Sequence, residues 1–438
     1  MKNRLLILMA WMLAACAPAA ATTTAPEPSS TPAPRPPTAV PTETESAGVV
    51  LRPFPQHVRY VDGSILPDHR SQTQRDDDVR AFYDYWKETY ILEAGKTADG
   101  RLLYRVAFGK KAPNRDATVS EGQGYGMMIT AHLAGYDPRA REIFDGLWDF
   151  ARANPSHKDV RLMDWKVPET STGNDSAFDG DADIAYGLLL ADAQWGSQGR
   201  INYKAEAQAL ITAILQSTIG PESRMPMLGD WTDPNGSRYS QYTPRSSDFM
   251  LANFRAYANA TGDPAWDEVI AKSQGVMAAI QENHSAETGL MPDFIVMRGE
   301  ERLPEPSPAG FLESPNDGHY YYNAGRVPWR VGADALLNND AASRAIAQKI
   351  SHWAEQVTGG DPANFRAGYD LQGNPLPSSD YFTSFFVAPL GVAAMNDASQ
   401  QAWLNAIYDS VYARHEDYYE DSVTLFCLLI MSGNAWTP

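Results

Sequence analysis

From about residue 76 to the end of the chain, apolar residues recur at three- and four-residue spacing, the pattern of amphipathic helices. The spacing predicts helices over about 76–91, 121–135, 138–153, 181–196, 203–218, 246–261, 264–284, 324–338, 340–357, 381–396, 399–413 and 421–432. Stops sit at the ends of these runs: Gly135, Gly196 and Gly262, and the Asp-Pro pairs at 137–138 and 263–264. Strand-like alternation is scarce. The runs fall into two alternating sets. One set (76–91, 138–153, 203–218, 264–284, 340–357 and 399–413) carries charge on one face and reads as outer. The other is apolar on every face, as in Tyr186 to Ala191, Val387 to Ala394 and Leu425 to Met431. A helix without a polar face has to be buried. The alternation therefore predicts an all-α fold, an (α/α)6 barrel of six outer and six inner helices. All inner helices then run the same way, and their N-termini open on one face.

Acidic and aromatic residues gather just before the inner runs: Glu121, Asp179 and Asp181, Ser247 and Asp248, Glu313 through Tyr322, Asp380 and Tyr381, and Tyr418 through Asp421. The barrel would bring them to one mouth. Asp and Ser at such points are also ordinary helix caps. Glu is a poor cap, so Glu121 stands out, and Gly122 and Gly124 beside it are expected to leave its carboxyl accessible. Carboxylates at loop-to-helix junctions, with tryptophan and tyrosine near, suit acid–base cleavage of sugars.

The first 15 residues read as an export signal: Lys2 and Arg4, then a short apolar core from Leu5 to Leu13. Leu13-Ala14-Ala15-Cys16 resembles a bacterial lipobox, which makes Cys16 the lipidation site and the membrane a partner through that anchor. Residues 16–48 are rich in Pro, Thr, Ser and Ala, a composition expected of a disordered tether. Residues 49–438 are expected to form the catalytic domain. Cys427 is the other of two cysteines; its apolar surroundings make it an inert core thiol. The formal charge of −18 argues against nucleic acid as a partner. The scattered histidines offer no metal-ligand spacing, so no metal and no cofactor are expected. A monomer is expected.

Two segments carry a family resemblance. Ser120-Glu121-Gly122-Gln123-Gly124-Tyr125-Gly126-Met127 resembles the general-acid motif of glycoside hydrolase family 8. Ala177-Phe178-Asp179-Gly180-Asp181-Ala182-Asp183-Ile184-Ala185 through Trp195 resembles that family's signature, departing from it at Phe178 and Gly187. The resemblance spans about 76–436. It implies the same barrel and hydrolysis of β-1,4-linked glycans with inversion. One departure bears on mechanism. Where the cellulase-like branch has a basic Asp in a Tyr-Asp-Ala-x-Arg context, this chain reads Tyr322-Asn323-Ala324-Gly325-Arg326. The long preceding loop, Phe311-Leu312-Glu313-Ser314-Pro315-Asn316-Asp317-Gly318, resembles the insertion of a second branch that includes chitosanases and some β-glucanases. There a Glu in this loop is the base.

The resemblance thus implies Glu121 as general acid, Glu313 as general base on a loop able to close over substrate, and Asp179 as the acid that grips the sugar at the cleavage point. Trp165 and Trp231 match substrate-binding tryptophans. Tyr125, Asn323, Arg326 and Asp181 complete the expected substrate contacts. The expected substrate is chitosan or a β-glucan, with the loop and the acidic charge leaning towards chitosan. A β-1,4-xylanase and a non-catalytic glycan-binding lipoprotein, the latter suggested by Asn323, are the alternatives. The expected location is the bacterial cell envelope or the exterior.

Overall fold

A computed structural model describes residues 49–168 and 174–438. The export signal, Cys16 and the tether lie outside the described residues. Within them the chain forms twelve α-helices, α1 to α12: Gln72–Tyr90, Ser120–His132, Ala140–Ala153, Phe178–Trp195, Tyr203–Ser217, Leu251–Thr261, Ala265–Asn283, Val327–Asn338, Ala341–Thr358, Ser384–Ala394, Gln401–Val411 and Tyr418–Met431. The even-numbered helices touch one another in sequence, and α12 closes back onto α2. Each odd-numbered helix packs outside, against an even-numbered one. The fold is an (α/α)6 barrel. Three small two-stranded antiparallel sheets decorate it, including the hairpin of Ile295–Arg298 with Leu303–Pro306.

The two sets form for different reasons. Outer helices have one apolar face, and α1, α5 and α9 carry a side-chain N-cap. In α1 the Ser71 hydroxyl accepts from the Gln74 amide while the Gln74 side chain accepts from Ser71, a reciprocal N-terminal cap. Inner helices other than α6 are buried along almost their whole length, as in α4, where every residue from Phe178 to Ala191 is buried. Small residues let them approach closely. A Cβ on Gly124 would lie 2.7 Å from the Asp183 Cβ, and one on Gly180 would lie 2.1 Å from the Ser120 hydroxyl. The start of α2 and the start of α4 are therefore in direct backbone contact.

Charged groups tie the inner helices to one another across the ring. Arg330 on α8 donates twice to Asp183 on α4, at 3.0 and 2.6 Å, and Asn253 on α6 donates to the same carboxylate at 3.0 Å. The C-terminal ends of the inner helices share one pole. A strap formed by residues 51–65 crosses it. Its backbone amides at Leu51, Phe54, Val58, Val61 and Ile65 donate to carbonyls of Gln194, Ala134, Gly433, Leu336 and Met395, at the ends of α4, α2, α12, α8 and α10. The N-terminal ends open on the opposite pole.

Several inner helices begin later than the apolar spacing predicts. Residues 246–248 and 324–326 form tight 3-10 turns ahead of α6 and α8, and α10 starts at Ser384. By contrast α4 begins at Phe178, so Asp179 and Asp181 stand in its first turn instead of before it.

Candidate active site

At the open pole one guanidinium joins four segments. Arg326, 1% exposed, enters from the turn before α8. Its Nη1 donates to Glu121 Oε2 at 2.8 Å and to Asp179 Oδ2 at 2.7 Å. Its Nη2 donates to the Ser247 hydroxyl at 2.8 Å and to Asn323 Oδ1 at 3.2 Å. Glu121 stands in the first turn of α2, Asp179 in that of α4, and Ser247 in the turn before α6. From α12, the Tyr418 hydroxyl donates to Glu121 Oε1 at 3.0 Å. The Gly122 position, where a Cβ would come within 2.8 Å of that hydroxyl, makes room for the Tyr418 ring. The expectation that these glycines open solvent around Glu121 is corrected: they admit neighbouring elements.

The shared arginine splits the two carboxyls. Burial raises the Glu121 carboxyl, Arg326 pulls it down and Asp179 pushes it up again, leaving it at about 7. Burial also acts upward on Asp179, but Arg326 and Arg245 outweigh it and hold that carboxyl at about 2. One acid therefore keeps a proton near neutrality while its neighbour stays ionised. Environments that drive paired carboxyls apart are how acid and base roles are assigned within one site.

Glu313 lies on the loop that follows the last hairpin, with its side chain about half exposed (45%). It points into the same network. Arg245 Nη2 donates to its Oε1 at 2.9 Å and Asn323 Nδ2 to its Oε2 at 2.8 Å. Arg245 Nη1 also approaches Asp179 Oδ2, at 3.6 Å. Two routes thus connect Glu313 to the Glu121–Asp179 pair, one through Asn323 and Arg326 and one through Arg245. Asn323 is itself fixed by Asp293, whose Oδ1 accepts from the backbone amides of Tyr321, Asn323 and Ala324 at 3.1, 3.1 and 2.7 Å. Burial lifts the Asp293 carboxyl to about 7 even so. Asp248, fully buried behind Arg245, has no hydrogen-bond partner on either oxygen, and burial raises it to about 7 against the pull of Arg245 3.8 Å away.

Of the residues expected here, Glu121, Asp179, Glu313, Asn323 and Arg326 come together. Trp165 and Trp231 are half-buried in loops of the same pole. The Trp165 carbonyl accepts from the Ser120 amide at 3.0 Å, next to Glu121. The Trp231 ring meets Tyr239 edge-on at 5.4 Å. Two expected substrate contacts are corrected. Tyr125 lies one turn deeper than Glu121, fully buried between Trp329 and Phe426. Asp181 is 1% exposed, and its Oδ1 accepts from the Met163 amide at 2.8 Å, bracing that loop from inside. Neither reaches the cleft surface. Arg245, Asp293 and Asp317 went unrecognised in the sequence. A cation in Pro244-Arg245-Ser246-Ser247-Asp248, just before an inner helix and beside the acidic cluster, is the signal for the first.

Among the described residues, no group of His, Cys, Asp and Glu is arranged to hold a metal ion, and no helix is long and apolar enough to cross a membrane. Cys427 is buried, and burial raises its thiol well above the usual range.

Comparison with known proteins places this geometry. A family model described as "Glycosyl hydrolases family 8" matches residues 69–433. A β-glucanase from Niallia circulans is 41% identical over 390 residues, 88% of this chain and 91% of that protein. An endoglucanase from a Bacillus species is 37% identical over 393 residues, 89% of this chain and 82% of its own length. The solved structure of a β-1,3-1,4-glucanase from Paenibacillus sp. X4 superposes with a TM-score of 0.83 at 40% identity, covering 89% of this chain and all of that one.

Proposed function

Because the chain belongs to glycosyl hydrolase family 8 and is a glycosidase, we propose that it cleaves internal bonds of a β-glucan with inversion, using Glu121 as general acid and Glu313 as general base. The observation that carries this reading is the Arg326 junction. It leaves Glu121 at about 7 beside an Asp179 held at about 2, with Glu313 anchored across the same network. Glu121 gives its proton to the leaving glycosidic oxygen. A water on the opposite face of the sugar attacks the anomeric carbon, and Glu313 takes the proton that this water sheds. Each Glu313 oxygen accepts one hydrogen bond and keeps a second lone pair for that water. The β-bond breaks, the new hemiacetal is α, and solvent takes the proton from Glu313 and returns one to Glu121. Asp179, ionised throughout, grips the hydroxyls of the sugar being cleaved. Asn323 and Arg326 hold the acids in place, and Trp165 and Trp231 offer faces for sugar rings.

The relatives named above act, by name, on glucans, and this moves the choice of substrate from chitosan to β-glucan, with mixed β-1,3-1,4 linkage first. A panel of mixed-linkage glucan, carboxymethylcellulose, chitosan and xylan tests it, with the anomer of the first product read by NMR. Glu121→Gln and Glu313→Gln are each expected to lower kcat by about 10²–10⁴-fold. Full turnover by Glu313→Gln, or a β-anomer as first product, refutes the assignment. We further propose export with a lipid on Cys16. Cys16→Ala is then expected to move the enzyme from the membrane fraction to the soluble one, and an unchanged distribution refutes it.

A further inference from the structure

The loop that carries Glu313 is organised around a single buried side chain. Asp317 is fully buried. Its Oδ2 accepts from the backbone amides of Leu312 at 2.6 Å and Glu313 at 3.0 Å. Its Oδ1 accepts from the Ser314 amide at 2.8 Å and the Ser314 hydroxyl at 3.2 Å. One carboxylate thus takes all three successive amides centred on Glu313. The outer end of the loop is held as well. Arg238 donates to the Phe311 carbonyl at 2.7 Å and the Gly310 carbonyl at 2.9 Å, and the Tyr239 hydroxyl donates to Phe311 at 3.0 Å. The Phe311 ring packs between Tyr239, at 5.2 Å, and Phe294, at 5.7 Å. This loop is pinned from both sides. A closing lid would have to break these bonds on every turnover.

We propose that Asp317 is a positioning residue for the general base: it sets the backbone at 312–314 so that Glu313 meets the water held across the cleft. This rests on the reading of Glu313 as base. Asp317 touches neither sugar nor water. Its carboxylate, an acceptor only, matches donors on both oxygens. An amide in its place must aim NH2 at one pair of those donors whichever way it turns, so the 312–314 backbone has to shift. A displacement of about 1 Å at a reacting group costs about 10²-fold.

The test is Asp317→Asn, made in the full chain and again in a Glu313→Ala background. In the first, kcat on mixed-linkage glucan is expected to fall about 10- to 100-fold with KM within about twofold, the split for an interaction made only in the transition state. In the second, azide replaces the activated water. It attacks the anomeric carbon as Glu121 protonates the leaving oxygen, and yields an α-glycosyl azide. If Asp317 acts through Glu313, adding Asp317→Asn leaves the azide-supported rate unchanged. If Asp317 merely holds the domain together, that rate falls by the same factor, and the proposal is overturned. Arg238→Met loosens the loop from its exposed end without altering the interior. It is expected to show the same pattern with a smaller loss of kcat, which keeps the test open should Asp317→Asn fail to fold. A Glu313→Ala variant with undiminished hydrolysis sinks the base reading itself, an outcome separable from the others.

Discussion

Tyr418→Phe isolates the hydrogen bond that competes with burial at Glu121, the proposed general acid. The Tyr418 ring fills the space beside Gly122 and packs against Phe108 and Tyr90, with centroids 5.5 and 6.1 Å away. Phenylalanine preserves that packing and removes only the donor 3.0 Å from Glu121 Oε1. The bond favours the carboxylate, so its loss raises the Glu121 pKa from about 7. A hydrogen bond to a charged acceptor contributes about 1.5–3 kcal/mol, and one pKa unit corresponds to about 1.4 kcal/mol. The shift is therefore about 1–2 units upward. Since the acid works protonated, the variant stays active to higher pH. The alkaline limb of kcat/KM on a soluble mixed-linkage glucan should move up by that amount, with a lower plateau because the acid is weaker. A substrate whose leaving group needs no protonation should show no such limb in either protein. An alkaline limb that stays in place or moves down would show that Glu121 is not the group being titrated.

Two further outcomes follow from burial and close packing. Asp248 titrates at about 7 when folded and near the ordinary carboxyl value of about 4 when unfolded, so between those values the folded state holds the extra proton and stability falls as pH rises. Asp248→Asn is expected to remove up to about 1.4 kcal/mol per pH unit from that slope in urea unfolding, leaving the slope due to Glu121 and Asp293; superimposable slopes contradict the assignment. Gly180→Ala places a methyl 2.1 Å from the Ser120 hydroxyl and 2.6 Å from its backbone carbonyl carbon, which forces the first turns of α2 and α4 apart. It is expected to cost about 1–3 kcal/mol in calorimetry and about 10²-fold in kcat, more than Gly187→Ala deeper in the ring, and equal effects at the two sites would refute the link between this contact and the site.

The fold was legible in the sequence because its signals are local. Apolar spacing, glycine stops and all-round apolarity mark each helix and its layer independently of the rest. The acids that cap the mouth were legible for the same reason: they sit at helix starts. Depth along a buried helix was not legible. Glu121 and Tyr125 share a face by spacing, yet one turn of helix takes the second from cleft to core. Asp181 shows the converse, since only a loop from elsewhere, at Met163, reveals its role. Asp293 and Asp317 act through backbone amides, a relation that leaves no mark in residue spacing, whereas Arg245 was marked only by its place just before an inner helix.

The strap beneath the barrel brings the two ends of the folded unit together. Arg52 donates to the Thr437 carbonyl at 3.2 Å and lies over the Trp436 ring at 4.7 Å. A ring whose ends meet has no privileged seam. A circularly permuted gene, with a short linker joining residue 438 to residue 49 and new termini at the exposed bend of Gln198 and Gly199, should encode the same closed ring with its mouth undisturbed.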